Sequence, residues 1–125
     1  MLFDTDVLIW LFRGNEPAAR LVERARERAV SVVAYMELLQ GARDRQEIRA
    51  IKSFLSDFAF GMLPLTENIG YRASIYMEEY GLQSAMGMAD ALIGATAVEH
   101  GLTLCTANEK HYKPIRDLEM KVLRP

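Results

Sequence analysis

An α/β fold with a mostly parallel central sheet flanked by helices is predicted by two features. Short β-rich runs alternate with helical stretches along the whole sequence, and the longer stretches space their apolar residues as one helix face. The 125 residues suit a single domain spanning 1–125. No repeat, low-complexity run or linker divides them.

Met1 to Asp4 reads as a short buried strand. Val7 to Phe12 is uncharged, stops at Arg13-Gly14-Asn15, and reads as a short helix because Asp4, Thr5 and Asp6 offer N-cap oxygens before it. Pro17 suits the first turn of a second helix, expected to run to about Arg28 with Ala18, Leu21, Val22 and Ala25 on one face. Ala29 to Val33 is β-rich and reads as the second strand; Ala34 to Ala42 then reads as a helix burying Met36, Leu38 and Leu39. Ile48, Ile51, Phe54, Leu55 and Phe58 form the stripe of a helix over 46–58. Met62 to Leu65 follows as a strand. Thr66-Glu67 opens a helix with Ile69, Ala73, Tyr76, Met77 and Tyr80 inward and Gly81 as its stop. Gly87 to His100 is a further helix closed by Gly101, and the strands Leu102–Cys105 and Met120–Leu123 complete the chain.

A lone cysteine, Cys105, excludes an intrachain disulfide and a Cys-rich zinc site, and fits a reducing, cytoplasmic setting. No signal peptide and no membrane span is expected. A net charge of −2 gives no overall attraction for nucleic acid. An enzyme acting on nucleic acid would therefore concentrate its basic side chains locally or bridge phosphates through metal ions.

The carboxylates carry the chemistry. Asp4 ends the first strand, and ligands of open α/β sheets bind outside the carboxyl ends of strands. Asn108 lies at the corresponding end of a later strand and would share that crevice if the two strands are neighbours. Glu37 and Asp90 are embedded in apolar sequence, where burial is costly without a partner, and a bound cation is the expected one. Gly41 and Gly94, each four residues after an acid, would let both helices approach the strand ends closely. Oxygen-only ligands select Mg²⁺ or Mn²⁺, and such ions serve phosphodiester hydrolysis.

Plainer roles compete. Asp4 and Asp90 can cap helices, Glu37 can be a capping or surface acid, and for Asp6 the cap reading is preferred. Thr106 and Asn108 can form an Asx or ST turn. His111 has no histidine near it in sequence to share a metal, and His100 reads as a favourable charge at a helix end. Tyr71, Tyr76 and Tyr80 read as core and interface, and Arg24, Arg26 and Arg28 as a solvated helix face. A phosphate-accepting receiver domain would need an aspartate at the end of the third strand. Thr66 follows that strand here, and Asp57 lies in a helical stripe.

Four segments in order carry a resemblance: Phe3 to Ile9, Ser31 to Ala42, Ala89 to Ala97 and Leu104 to Tyr112. They resemble the motifs of PIN-domain nucleases, most closely the VapC toxins of toxin–antitoxin pairs. The resemblance implies a PIN fold, a Mg²⁺- or Mn²⁺-dependent endoribonuclease acting on RNA, a homodimer, and inhibition by a cognate VapB-like antitoxin. It implies Asp4, Glu37 and Asp90 as catalytic and metal-binding acids. Many members place a further aspartate where Asn108 stands or three residues later, where this chain has His111. The fourth ligand is therefore open between Asn108, Asp6 and Glu109. A PIN-like domain that binds without cutting, and a PIN ribonuclease outside any toxin pair, are the alternatives.

Overall fold

The computed structural model describes residues 1–125. In chain order the elements are β1 (Leu2–Phe3), α1 (Thr5–Phe12), α2 (Glu16–Arg24), β2 (Ala29–Ser31), α3 (Val32–Gln40), α4 (Arg45–Asp57), β3 (Gly61–Leu63), α5 (Glu67–Tyr80), α6 (Met88–His100), β4 (Leu104–Thr106), α7 (Glu109–Tyr112) and β5 (Met120–Val122). The five strands form one parallel sheet in the order β3-β2-β1-β4-β5. The expected α/β architecture is therefore present. Strand order reverses at β1, and the carboxyl ends of β1 and β4 flank that switch point, where open sheets form their crevices. Leu2 pairs with Leu104 and Phe3 with Cys105, so β1 and β4 are neighbours, as the shared crevice requires.

One apolar cluster of 26 buried residues joins the sheet to its helices, with Leu2, Phe3, Leu8, Ile69, Ile93, Leu104 and Tyr112 among its most enclosed side chains. Helix starts follow their caps. Asn15 Oδ1 accepts from the Ala18 N–H at 2.9 Å, Asp44 Oδ1 from the Glu47 N–H at 2.9 Å, and Thr66 Oγ1 from the Ile69 N–H at 3.2 Å. Gly101, left-handed at φ 61°, closes α6. Gly81 caps α5 in right-handed geometry instead.

Several expected boundaries shift. The second strand stops at Ser31, whose hydroxyl accepts from the Val33 N–H at 3.1 Å; this cap draws the β-branched Val32 and Val33 into the first turn of α3. Met36 faces solvent rather than the core. The second helix ends at Arg24. Arg28 does not belong to a solvated face: its guanidinium donates to the Val22, Glu23 and Phe58 carbonyls and lies over the Phe58 ring. The fourth strand begins two residues later than expected, because Gly101 and the Leu102 N–H to Ala97 carbonyl bond occupy the turn.

Neither glycine brings its helix against a strand end, and only Gly94 permits a close approach at all. A Cβ on Gly94 would stand 2.7 Å from Ile115 Cδ1 and 3.6 Å from Tyr112 Cδ1, so this glycine seats α6 against the α7 segment rather than a strand end. At Gly41 a Cβ would meet only carbonyls of its own helix, so no close approach depends on it. Ile115 ends in a flexible methyl that can swing aside. Gly94→Ala should therefore change unfolding free energy by less than about 1 kcal/mol, as helix propensity offsets crowding. Gly94→Val should cost about 1–3 kcal/mol, read from urea denaturation.

Candidate active site

Asp4 is the N-cap of α1 and is only 5% exposed. Its backbone N–H donates to the Cys105 carbonyl at 2.9 Å, which fixes the carboxylate at the β1–β4 seam. Three donors hold that carboxylate: the Thr5 N–H at 2.8 Å on Oδ1, and the Thr106 and Tyr112 hydroxyls at 2.8 and 3.0 Å on Oδ2. None of them carries a positive charge. Burial first, and then the Asp6 charge, push the Asp4 carboxyl up to about 7 despite these bonds.

Asp6 does not act as a cap. From the first turn of α1 it reaches across to the turn after β4, where Oδ2 accepts from the Ala107 N–H at 3.0 Å. Its Oδ1 is buried with no hydrogen-bond partner. Burial raises the Asp6 carboxyl, while the Ala107 N–H and the nearby His111 pull it down.

Glu37 joins this group through Thr5, whose hydroxyl donates to Oε1 at 2.6 Å. Asp90 sits at the third position of α6. Its Oδ2 accepts from the Gly87 N–H at 2.9 Å, which makes it a cap, and lies 3.2 Å from His111 Nδ1. Consecutive residues of α7 thus face two acids: His111 meets Asp90, and Tyr112 meets Asp4. Asn108 is exposed, and its side chain makes no hydrogen bond within the chain. Its backbone N–H donates to Thr106 Oγ1 at 3.0 Å, which is the ST turn weighed from sequence.

The fold therefore links Asp4 to Glu37 through Thr5, and Asp4 to Asp90 through α7, beside the ends of β1 and β4. Asn108 contributes backbone to the group. Sequence reasoning weighed Thr106 as a turn residue and set His111 aside as a metal ligand; it missed their bonds to Asp4 and Asp90, the role of Tyr112 and the reach of Asp6. The available signal was the step from Asn108 to His111 and Tyr112, which is the three-and-four spacing of a helix turn.

No three His, Cys, Asp or Glu side chains converge closely enough to hold a metal ion as they stand. The donor chemistry nonetheless suits a hard divalent cation. Every acid offers only oxygen, Asp6 Oδ1 lacks a partner, and Asp4 is buried beside a second carboxylate with neutral donors alone. Cys105 lies beneath in the core; burial and the two aspartate charges push its thiol up to about 12, so it takes no part as a thiolate.

The PIN domain family profile matches residues 1–116. Ribonuclease VapC10 of Mycobacterium tuberculosis is 34% identical over 125 residues, covering 95% of this chain and 90% of that protein. Ribonuclease VapC1 of Rickettsia felis is 28% identical over 130 residues, covering 96% and 93%. Among solved structures, a toxin–antitoxin complex from Klebsiella pneumoniae contains a chain superposing with a TM-score of 0.80 at 31% identity, covering 94% of this chain and 93% of that one. VapBC-1 from nontypeable Haemophilus influenzae superposes with a TM-score of 0.80 at 24% identity, covering 97% and 96%, a likeness of fold.

The raised Asp4 carboxyl sets a pH dependence. Unfolded, the group titrates near 3.8; folded and metal-free, near 7. Between those values the folded protein binds the extra proton, so this stabilisation is complete at low pH and is lost as pH rises through about 7. In EDTA, urea unfolding followed by Trp10 fluorescence should show stability falling by about 2 kcal/mol between about pH 5 and about pH 8. Asp4→Asn should flatten that fall.

Proposed function

The chain belongs to the PIN-domain family and, within it, to the VapC group; on that premise we propose that it is a divalent-metal-dependent endoribonuclease, the toxin of a toxin–antitoxin pair. The observation that carries the reading is Asp4: a buried carboxylate at the strand-order switch point, beside a second aspartate, with no cationic partner of its own. Asp4, Glu37 and Asp90 would hold Mg²⁺ or Mn²⁺, and Asp6, with its unpartnered oxygen, is the better candidate for a fourth donor than Asn108. Such an ion supplies charge neutralisation at the phosphodiester and activation of water. The protein's own part is positioning. Thr106 and Tyr112 fix the Asp4 carboxylate, Thr5 fixes Glu37, and the Gly87 N–H with His111 fixes Asp90. The hydroxyls of Thr5, Thr106 and Tyr112 serve as donors that hold the carboxylates, and no Ser–His or Cys–His pair lies in the group, which suits direct hydrolysis by water.

A VapB-like antitoxin is the proposed partner, supported by the toxin–antitoxin complex from Klebsiella pneumoniae. Exposed apolar side chains supply suitable chemistry: Ile9 and Phe12 on α1, and Phe58 after α4, border one aromatic run through Phe54. A cytoplasmic setting follows from the proposed chemistry, and no helix is long and apolar enough to cross a membrane. The non-cleaving reading rests on one feature, the neutral and unengaged Asn108.

Purified protein freed of antitoxin should cut total RNA with Mn²⁺ or Mg²⁺ and stop in EDTA. Asp4→Asn should lower the rate at least about 100-fold while the far-ultraviolet dichroism stays unchanged. Asn108→Ala should cost less than Glu37→Ala or Asp90→Ala. Cleavage in excess chelator would sink the metal reading, and RNA left intact with either metal would favour the binding-only one.

We also propose a homodimer, supported by Tyr71 and Met88, which the single chain leaves widely exposed. Light scattering at micromolar concentration should give about twice the chain mass of 14.2 kDa; a monomer mass would count against it.

A further inference from the structure

Beside the acids lies a cleft of about 610 Å³ whose walls are Leu82, Gln83, Ser84 and Ala85 on one side and Lys110, Lys113 and Pro114 on the other. Both walls lie a few residues along the chain from the groups that hold Asp90. Ala85 precedes Gly87 by two residues, and the Gly87 N–H binds Asp90; Lys110 precedes His111, which faces the same carboxylate. The chain thus places the cleft next to the two groups, the Gly87 N–H and His111, that hold Asp90. Lys110 and Lys113 are exposed, three residues apart, and absent from all four ion pairs of the structure. Gln83 leaves its amide free of hydrogen bonds, whereas the Ser84 hydroxyl is engaged by the Tyr80 carbonyl and the Met86 N–H.

In a chain of net charge −2, two unpaired lysines beside a group of acids need a reason. A polyanion approaching Asp4, Asp6, Glu37 and Asp90 is repelled unless positive charge stands along its path. We infer that this cleft is the subsite for the RNA strand flanking the cut: Lys110 and Lys113 bind backbone phosphates next to the scissile one, and Gln83 meets a base edge. The inference rests on the proposed nuclease reading and deepens it by assigning the substrate's path. The occupant is single-stranded RNA, since the open cleft admits a splayed strand whose bases are free to be read.

The test measures binding rather than cleavage. The Asp4→Asn chain, in EDTA, is titrated with a fluorescein-labelled oligouridylate about twelve nucleotides long over a series of salt concentrations. Adding Lys110→Gln and Lys113→Gln should weaken binding roughly tenfold near 0.1 M salt and reduce the log–log salt slope by about 1.4, as expected for two lost phosphate contacts on a single strand. The control removes the same charge elsewhere, through Arg49→Gln and Lys52→Gln on α4, both exposed, and should leave the slope within error. An unchanged slope in the Lys110/Lys113 variant, an equal loss in the control, or no binding by the parent would overturn the subsite. Failure of the nuclease reading would show separately, as wild-type protein that binds the strand with the lysine dependence intact but leaves RNA uncut in Mn²⁺.

Discussion

The molecule is organised around one buried carboxylate. Asp4 caps α1, pairs its backbone with β4, and collects hydroxyls from the end of that strand and from α7. A negative charge in that position is supported by three donors, one on Oδ1 and two on Oδ2, which leaves Oδ1 room for a further partner. The rest of the site follows from satisfying it. Thr106 must end β4 to donate, α7 must turn back to bring Tyr112, and position 94 must stay small for the α7 segment to seat against α6. The next residue, Thr5, then carries the arrangement on to Glu37.

The donors around Asp4 are enough to hold it and too weak to neutralise it. Hydroxyls and amides stabilise an anion by dipoles, and here burial together with Asp6 outweighs them. An Arg or Lys in place of Thr106 or Tyr112 would settle the charge and close the position to any cation. The chain keeps its basic side chains at arm's length instead, on the exposed rim formed by Lys110 and Lys113. Protein stability and ligand affinity are thus set against each other at one residue, as is common where function tolerates strain in charge rather than in backbone.

Most of the architecture was legible in the sequence because local rules agreed there. Apolar periodicity located the long helices α4, α5 and α6 to within about two residues of their ends. Legibility failed where a short-range signal competed with a long-range one. Val32 and Val33 look like strand, and only the Ser31 cap makes them helical. Arg28 looks solvated, and only the distant Phe58 carbonyl and ring enclose it. The same holds for the site. Asp4, Glu37 and Asp90 stood out by position and by apolar company. Thr106, Tyr112 and the long reach of Asp6 did not, since their partners lie about 100 residues away in the chain. α7 was missed for a further reason: four residues give no periodicity to detect.

That separation in sequence has a consequence for synthesis. The bonds on Asp4 span 102 and 108 residues, and the parallel strand beside it, β4, is made about 100 residues after β1. Contacts of this separation form late, since the whole intervening loop must be closed first. A chain emerging from the ribosome already carries Asp4, Glu37 and Asp90, yet it has no hydroxyls to hold the first and no α7 to join it to the third. Until Thr106 and Tyr112 have been added, the growing chain lacks the two hydroxyls that fix the Asp4 carboxylate. Topology alone therefore makes the assembly of this site a late event in the folding of residues 1–112.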